Sequence, residues 1–228
     1  MQQLAAPLWK TALDKALATY PKQTVVQLAS LDPSASIPHV RSLVFREFMT
    51  TSDPSQPLIL STTDVRTPKT AQMIANPNVQ IAWYIQGTQE QYRIAGKAHI
   101  VPAPGDLRKH FMHTISALGL ASDYDWEAKR VEAFKKMSPQ MKASWCRPVP
   151  GSKLEGGQDE AKKWPTELQE PKPGDAEAQR LWDLSLSNFA LLIVNPTDVD
   201  FVELAPVPNR RTRFWRAADG WHEEALVP

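Results

Sequence analysis

Apolar and polar positions change period several times along the chain. In "LAAPLWKTALDKALATYP", Leu4, Leu8, Ala12, Leu13, Ala16 and Leu17 recur at helical spacing until Pro21, which predicts an N-terminal helix within residues 1–22. "TVVQLASL" (24–31) and "IPHVRSLVFREFM" (37–49) then read as strands joined by the turn-rich "DPSAS". "LILSTT" is a further strand, and a short helix over about 68–75 ends at Asn76-Pro77. "NVQIAWYI" and "EQYRIAGKAHIV" form a hairpin around "QGTQ". Helical patterns follow in "APGDLRKHFMHTISALGL" and "DWEAKRVEAFKKM". Residues 148–175 are rich in Pro, Gly and charge, which predicts a functional loop or a disordered stretch. "AEAQRLWDLSLSN" is the last helix. "FALLIVNPTDVDFVEL" reads as two strands around Asn195-Pro196, and "RTRFWRAADGWHEEALV" as a hairpin turning at Asp219-Gly220.

This gives roughly seven or eight strands and three or four helices. Strands mostly follow one another without crossover helices, so the expectation is a mainly β, α+β domain over 1–228, antiparallel and closing into a small barrel. No G-x-G-x-x-G follows a strand and no G-x-x-x-x-G-K-[ST] loop is present, which argues against a Rossmann sheet and a P-loop.

Composition narrows the functional classes. A net charge of +1 over 228 residues lacks the basic excess of a general nucleic-acid or membrane-surface binder. No apolar run approaches the ~20 residues of a membrane helix. The first residues show no basic stretch leading into an apolar block, so a cytoplasmic location is expected. The single cysteine, Cys146, excludes an internal disulfide and a multi-cysteine zinc site. Eight tryptophans could serve a core, a stacking surface or a dimer interface, and composition does not choose.

The chemistry concentrates in "STTDVRTPKTAQMIANP" (61–77). A helix N-terminus carries partial positive charge and disfavours cations. Yet Arg66 and Lys69 flank the expected cap Thr67 and the first-turn Pro68. Together with the early N–H groups and hydroxyls, they would suit a phosphate. The bland alternative is an exposed helix start with both cations in water. Arg41 lies among apolar residues of a strand, where an arginine needs a partner: an anionic ligand or an acidic neighbour. Arg46, five residues on, points to the other face unless a bulge intervenes. Gln91 opens a strand and can donate and accept at once, as a planar heterocycle requires. His110 and His113 have metal-compatible helical spacing but no third ligand, so no metal site is expected.

Five segments in this order resemble the pyridoxamine 5'-phosphate oxidase family and its FMN-binding relatives: "RSLVFR", "STTDVRTPKTAQMIANPNVQIAWYI", "EQYRIAGKA", "SPQMKASW" and "RTRFWRAADGWHEEALVP". The resemblance implies an antiparallel split β-barrel and a homodimer with FMN at its interface. It implies that Arg41 holds the phosphate or ribityl chain and that Arg46 stands where the family has a lysine. Thr62 and Thr63 would line the flavin, and Thr67 and Lys69 would grip the phosphate. Arg66 would reach it from a displaced position, because Pro68 occupies the family's arginine slot. Gln91 would face the ring, Gln140 and Met141 would come from the partner subunit, and Arg213 would be a late flavin contact. The family's tryptophan in the "FVEL" strand is Val202 here. The family's second anion site, for a phosphorylated substrate, is not matched: Lys109, His110 and His113 replace its Tyr and Arg, and "PNRRTRF" keeps Arg210 and Arg211 but lacks the histidine. The expected function is an FMN-dependent oxidoreductase whose flavin accepts a hydride from a small substrate, with no catalytic side chain assigned. The alternative is a non-catalytic protein that binds flavin or another phosphorylated heterocycle.

Overall fold

The computed structural model of the chain describes residues 6–49, 51–105, 107–108, 115, 118–121 and 123–228. Helix α1 (Leu8–Thr19) turns Trp9, Leu13 and Ala16 inward, an i, i+4, i+7 stripe on one helix face. β1 (Val25–Asp32) pairs with β2 (Ile37–Val44) and sets Arg41 opposite Leu28. The strand expected over 37–49 breaks at Phe45-Arg46 and resumes as β3 (Glu47–Met49), which pairs with β4 (Leu58–Asp64). Helix α2 (Pro68–Ala75) leads into the hairpin of β5 (Asn78–Ile85) and β6 (Glu90–Val101). The helices α3 (Trp126–Lys135), α4 (Pro139–Ser144), α5 (Gly157–Ala161) and α6 (Ala176–Asn188) follow. β7 (Phe189–Glu203), β8 (Arg210–Ala217) and β9 (Gly220–Leu226) complete the order.

The nine strands among the described residues form one antiparallel sheet, ordered β2-β1-β5-β6-β7-β4-β3, with β8 on β7 and β9 on β8. The sheet splits along β7. Its first half pairs with β4, its second half pairs with β8, and β6 runs along its other edge. The sheet curls until its ends meet: Arg46 N–H donates to Leu60 O at 2.8 Å, and Ser61 Oγ donates to Val44 O at 2.9 Å. The result is the split β-barrel, with Arg46 on its seam.

Alternation along β4 explains where the two cores sit. Ile59 points into the barrel with Leu28, Ile81, Trp83 and Ile94. Leu58 and Leu60 point outward, against Phe134, Trp145 and Trp182 of the helical layer. A strand covered on both faces reads as a continuous apolar run, as "LILS" and "LLIV" do. The break expected at Asn195-Pro196 is absent, because β7 runs through it. The register shifts opposite Ala95 and Gly96 instead, and a Cβ on Gly96 would stand 2.4 Å from Asn195 O. A bulge thus accommodates both the missing Pro196 N–H and the close backbone approach.

The segment 148–175 carries α5, and its Leu168 is buried with its N–H donating to Pro139 O at 2.9 Å. Most of the rest of the segment is exposed. His110 and His113, and much of the helix expected around them, lie outside the described residues. Among the described residues no helix is long and apolar enough to cross a membrane, and no His, Cys, Asp and Glu cluster could hold a metal.

Candidate functional site

β4 delivers Thr62, Thr63 and Asp64 to the start of α2, and a cleft of about 950 Å³ opens there. Thr67 is the N-cap residue, but its hydroxyl does not cap the helix. It donates to Asp64 O at 2.8 Å, and Thr70 Oγ1 donates to the same carbonyl at 3.1 Å. Both hydroxyls are turned backward because that carbonyl ends a strand and has no ladder partner of its own. No side chain caps α2, Pro68 has no N–H and Thr70 N–H donates to Thr67 O at 3.0 Å, so among the described residues the Lys69 N–H is the first-turn donor left without a protein acceptor.

Lys69 lines this cleft half-buried, and makes no ion pair or side-chain hydrogen bond among the described residues. Its pKa is pushed down by burial first, then by Arg41, while Asp64 pulls it up. Arg41 does not line the cleft but reaches Gln72 on α2, and it pairs with no acid among the described residues. Its Nη1 donates to Ser30 Oγ at 2.6 Å and its Nη2 to Gln72 Oε1 at 3.0 Å, and Ser30 in turn donates to Gln72 at 2.7 Å. Neutral acceptors orient the guanidinium and leave its charge uncompensated. Burial lowers the pKa of Arg41 and of Arg46 alike. Arg46 Nε is buried without a partner, and Nη2 meets only Met141 Sδ at 3.6 Å. Three partly dehydrated cations without carboxylate partners form an arrangement that folding alone disfavours.

Arg66 is placed differently from its expected reach toward a phosphate. It grips Asp64 bidentately, Nη2 to Oδ2 at 2.7 Å and Nε to Oδ1 at 3.0 Å. Its remaining donors hold Arg147 O at 2.9 Å and Trp145 O at 3.3 Å. The nearby carboxylate is the stronger partner for a planar fork, so Arg66 neutralises Asp64 and ties the far wall of the cleft to α2.

That wall consists of Met141, Trp145, Arg147 and the start of the 148–175 segment, with Trp164. Sequence reasoning named Met141 as a flavin contact and 148–175 as a functional loop or disordered stretch, but it did not single out Arg147 or Trp164. Gly151 lies over α2: a Cβ there would be 4.0 Å from Pro68 Cγ. Met141 belongs to the same chain's cleft, so its contact with Arg46 needs no second subunit. Gln140 is exposed and does not line the cleft. Gln91 and Arg213 also lie elsewhere. Gln91 is opposite Val202, and Arg213 opposite Asp200, on the β6–β7–β8 part of the sheet. Arg213 pairs with Asp198 at 2.7 Å and lies over Trp215.

Residues 6–102 match the family model described as pyridoxamine 5'-phosphate oxidase, FMN-binding domain. This segment is similar to the FMN-binding domain of that family. It runs from the start of α1 to the end of β6 and contains Arg41, Arg46, Thr62, Thr63, Thr67, Lys69 and Gln91, whereas Met141, Arg147 and Trp164 lie beyond it. A pyridoxamine 5'-phosphate oxidase-related, FMN-binding protein from Nostoc punctiforme PCC 73102 superposes with a TM-score of 0.72 at 24% identity. That similarity covers 98% of this chain and 100% of the other. PhzG from Burkholderia lata 383 superposes with a TM-score of 0.63 at 16% identity, over 96% of this chain and 92% of the other. At these identities both likenesses concern the fold. Comparison with curated proteins found no match.

Proposed function

We propose that the chain anchors FMN by its phosphate at the first turn of α2 and serves as an FMN-dependent oxidoreductase for a small molecule. The carrying observation is Lys69: half-buried, beside Arg41, with no anion of the protein's own. A phosphate would complete the Lys69 and Arg41 side chains and the Lys69 N–H together. Arg46 would lie at the ribityl or ring side, where Thr62 lines the same cleft. Bound flavin supplies hydride and single-electron chemistry, and the protein supplies binding, orientation and electrostatics. Among the described cleft residues both carboxylates are already paired, Asp64 with Arg66 and Glu155 with Lys153. No free carboxylate is therefore offered to a substrate there, which fits chemistry carried by a cofactor and equally fits a protein that only binds flavin.

The proposal includes a homodimer. Gln91 and Arg213 lie away from this chain's cleft, so they would contact flavin only from a second copy. The test is a visible spectrum of the purified protein, then titration of stripped protein with FMN and with riboflavin, alongside a light-scattering mass. A yellow dimer preferring FMN over riboflavin by about 100-fold, some 2.7 kcal/mol, supports the reading. A colourless protein indifferent to both ligands refutes it. Flavin that binds but is reduced by no donor would favour the binding-only reading.

A further inference from the structure

Beyond Lys69, a second cation in the cleft lining has no counter-charge. Arg147 lines the cleft, makes no ion pair among the described residues, and has a buried Nε without a hydrogen-bond partner. Its own carbonyl is held by Arg66 and the neighbouring Trp145 carbonyl by Arg66 and Asn188, so the backbone presenting it is fixed. Lys153 is no rival, because it pairs with Glu155 at 3.2 Å and both are exposed. Around Arg147 the lining is flat and apolar: Trp145 is buried, Trp164 half-buried, with Pro148 and Val149 beside them. The cleft, about 950 Å³, is near the upper end of small-molecule sites, which run to about 1,000 Å³, and so has room beyond one cofactor.

We infer that Arg147 is the specificity-determining anchor of a second subsite, which takes a small monocarboxylate with a flat apolar body. The guanidinium would hold the carboxylate by its fork, and the two tryptophans would cover the apolar body. The inference rests on the proposed function for the α2 end of the cleft. Its own observations concern a segment outside the FMN-binding match.

Calorimetry on FMN-loaded and FMN-stripped protein tests it, with 1-naphthoate and the neutral 1-naphthamide as probes. The wild type should bind naphthoate at least about tenfold more tightly than the amide, as one charge-assisted hydrogen bond implies. Arg147→Gln should bring the two probes to parity while leaving FMN affinity within about threefold. Arg147→Lys should keep part of the preference, and Lys153→Gln all of it. Absence of the preference in the wild type, or its survival in Arg147→Gln, overturns the inference. So does a loss of FMN affinity in Arg147→Gln as large as that in Lys69→Met, because Arg147 would then be a cofactor ligand. Arg147-dependent naphthoate binding by a protein that takes no FMN would support the subsite and sink the functional reading alone.

Discussion

Replacing Lys69 by methionine should stabilise the empty protein and cripple FMN binding. The two effects have one cause. In the empty protein Lys69 is a partly dehydrated cation near Arg41 with no acceptor. Methionine keeps the length and packs on the same stem while removing the charge. A fully buried ion costs several kcal/mol, and Lys69 is only half-buried, so the gain is on the order of 1 kcal/mol. For a chain of this size that is a rise of about 2–4 °C in Tm. Against a phosphate the balance reverses. A hydrogen bond to a charged group contributes about 1.5–3 kcal/mol net, and the ε ≈ 20 Coulomb energy at about 4 Å is near 4 kcal/mol. A loss of about 2–4 kcal/mol weakens FMN roughly 30- to 700-fold.

The assays are a thermal melt of stripped protein and fluorescence titrations with FMN and riboflavin. Riboflavin has no phosphate, so its affinity should be unchanged by Lys69→Met. Equal losses for both flavins would mean that Lys69 supports the fold of the cleft and does not meet phosphate. A lower melting temperature with intact FMN affinity would refute the electrostatic reasoning altogether.

Two further perturbations probe the scaffold. Arg66→Met leaves the buried Asp64 carboxylate unpaired and should cost about 3 kcal/mol in denaturant unfolding, and adding Asp64→Asn should restore most of it. His99 is half-buried with both ring nitrogens sealed from solvent and unpartnered among the described residues, and burial, then Lys97, lowers its pKa to about 4. A histidine with a depressed folded pKa is held neutral by the fold. Its contribution to stability is therefore complete above about pH 6.5, the unfolded value, and is lost as pH falls from there toward 4. His99→Gln should flatten that part of a stability-against-pH curve, and an unchanged slope would count against the assignment.

The barrel was legible where pattern and burial agree. β5 alternates strictly, exposed and buried, and β1 nearly so, and both were read with bounds within a residue or so. The strand read over 37–49 failed at Phe45-Arg46 because the seam is a tertiary event: Arg46 leaves β2 in order to bond Leu60 across the barrel. The strand over 189–203 was cut at Asn195-Pro196 because proline usually ends a strand, and the bulge that rescues it depends on Gly96, a hundred residues earlier. The short helix at 68–75 and its cap position were readable from Thr67-Pro68, yet the direction of the Thr67 hydroxyl depends on Asp64 O, whose freedom follows from where β4 stops pairing. In the far wall of the cleft Arg147 and Trp164 gave no local signal, since they matter only through where the chain returns.

Asp64 explains why the phosphate-seeking pattern around residue 66 was partly misread. A carboxylate beside a would-be anion site seems self-defeating. In the fold it is the joint of the whole region: its carbonyl orients Thr67 and Thr70, and its side chain holds Arg66, which holds the backbone of Trp145 and Arg147. Neutralised by Arg66, it subtracts little from the field at the start of α2. The charges thus divide into two sets. Asp64 and Arg66 cancel and build the cleft, whereas Lys69 inside it, and Arg41 and Arg46 outside its lining, have no acidic partner among the described residues. A sequence shows only that four cations lie near one helix start. The division depends on which cation reaches the carboxylate first, and the two-residue spacing from Asp64 to Arg66 across a strand-to-helix turn decides it for Arg66.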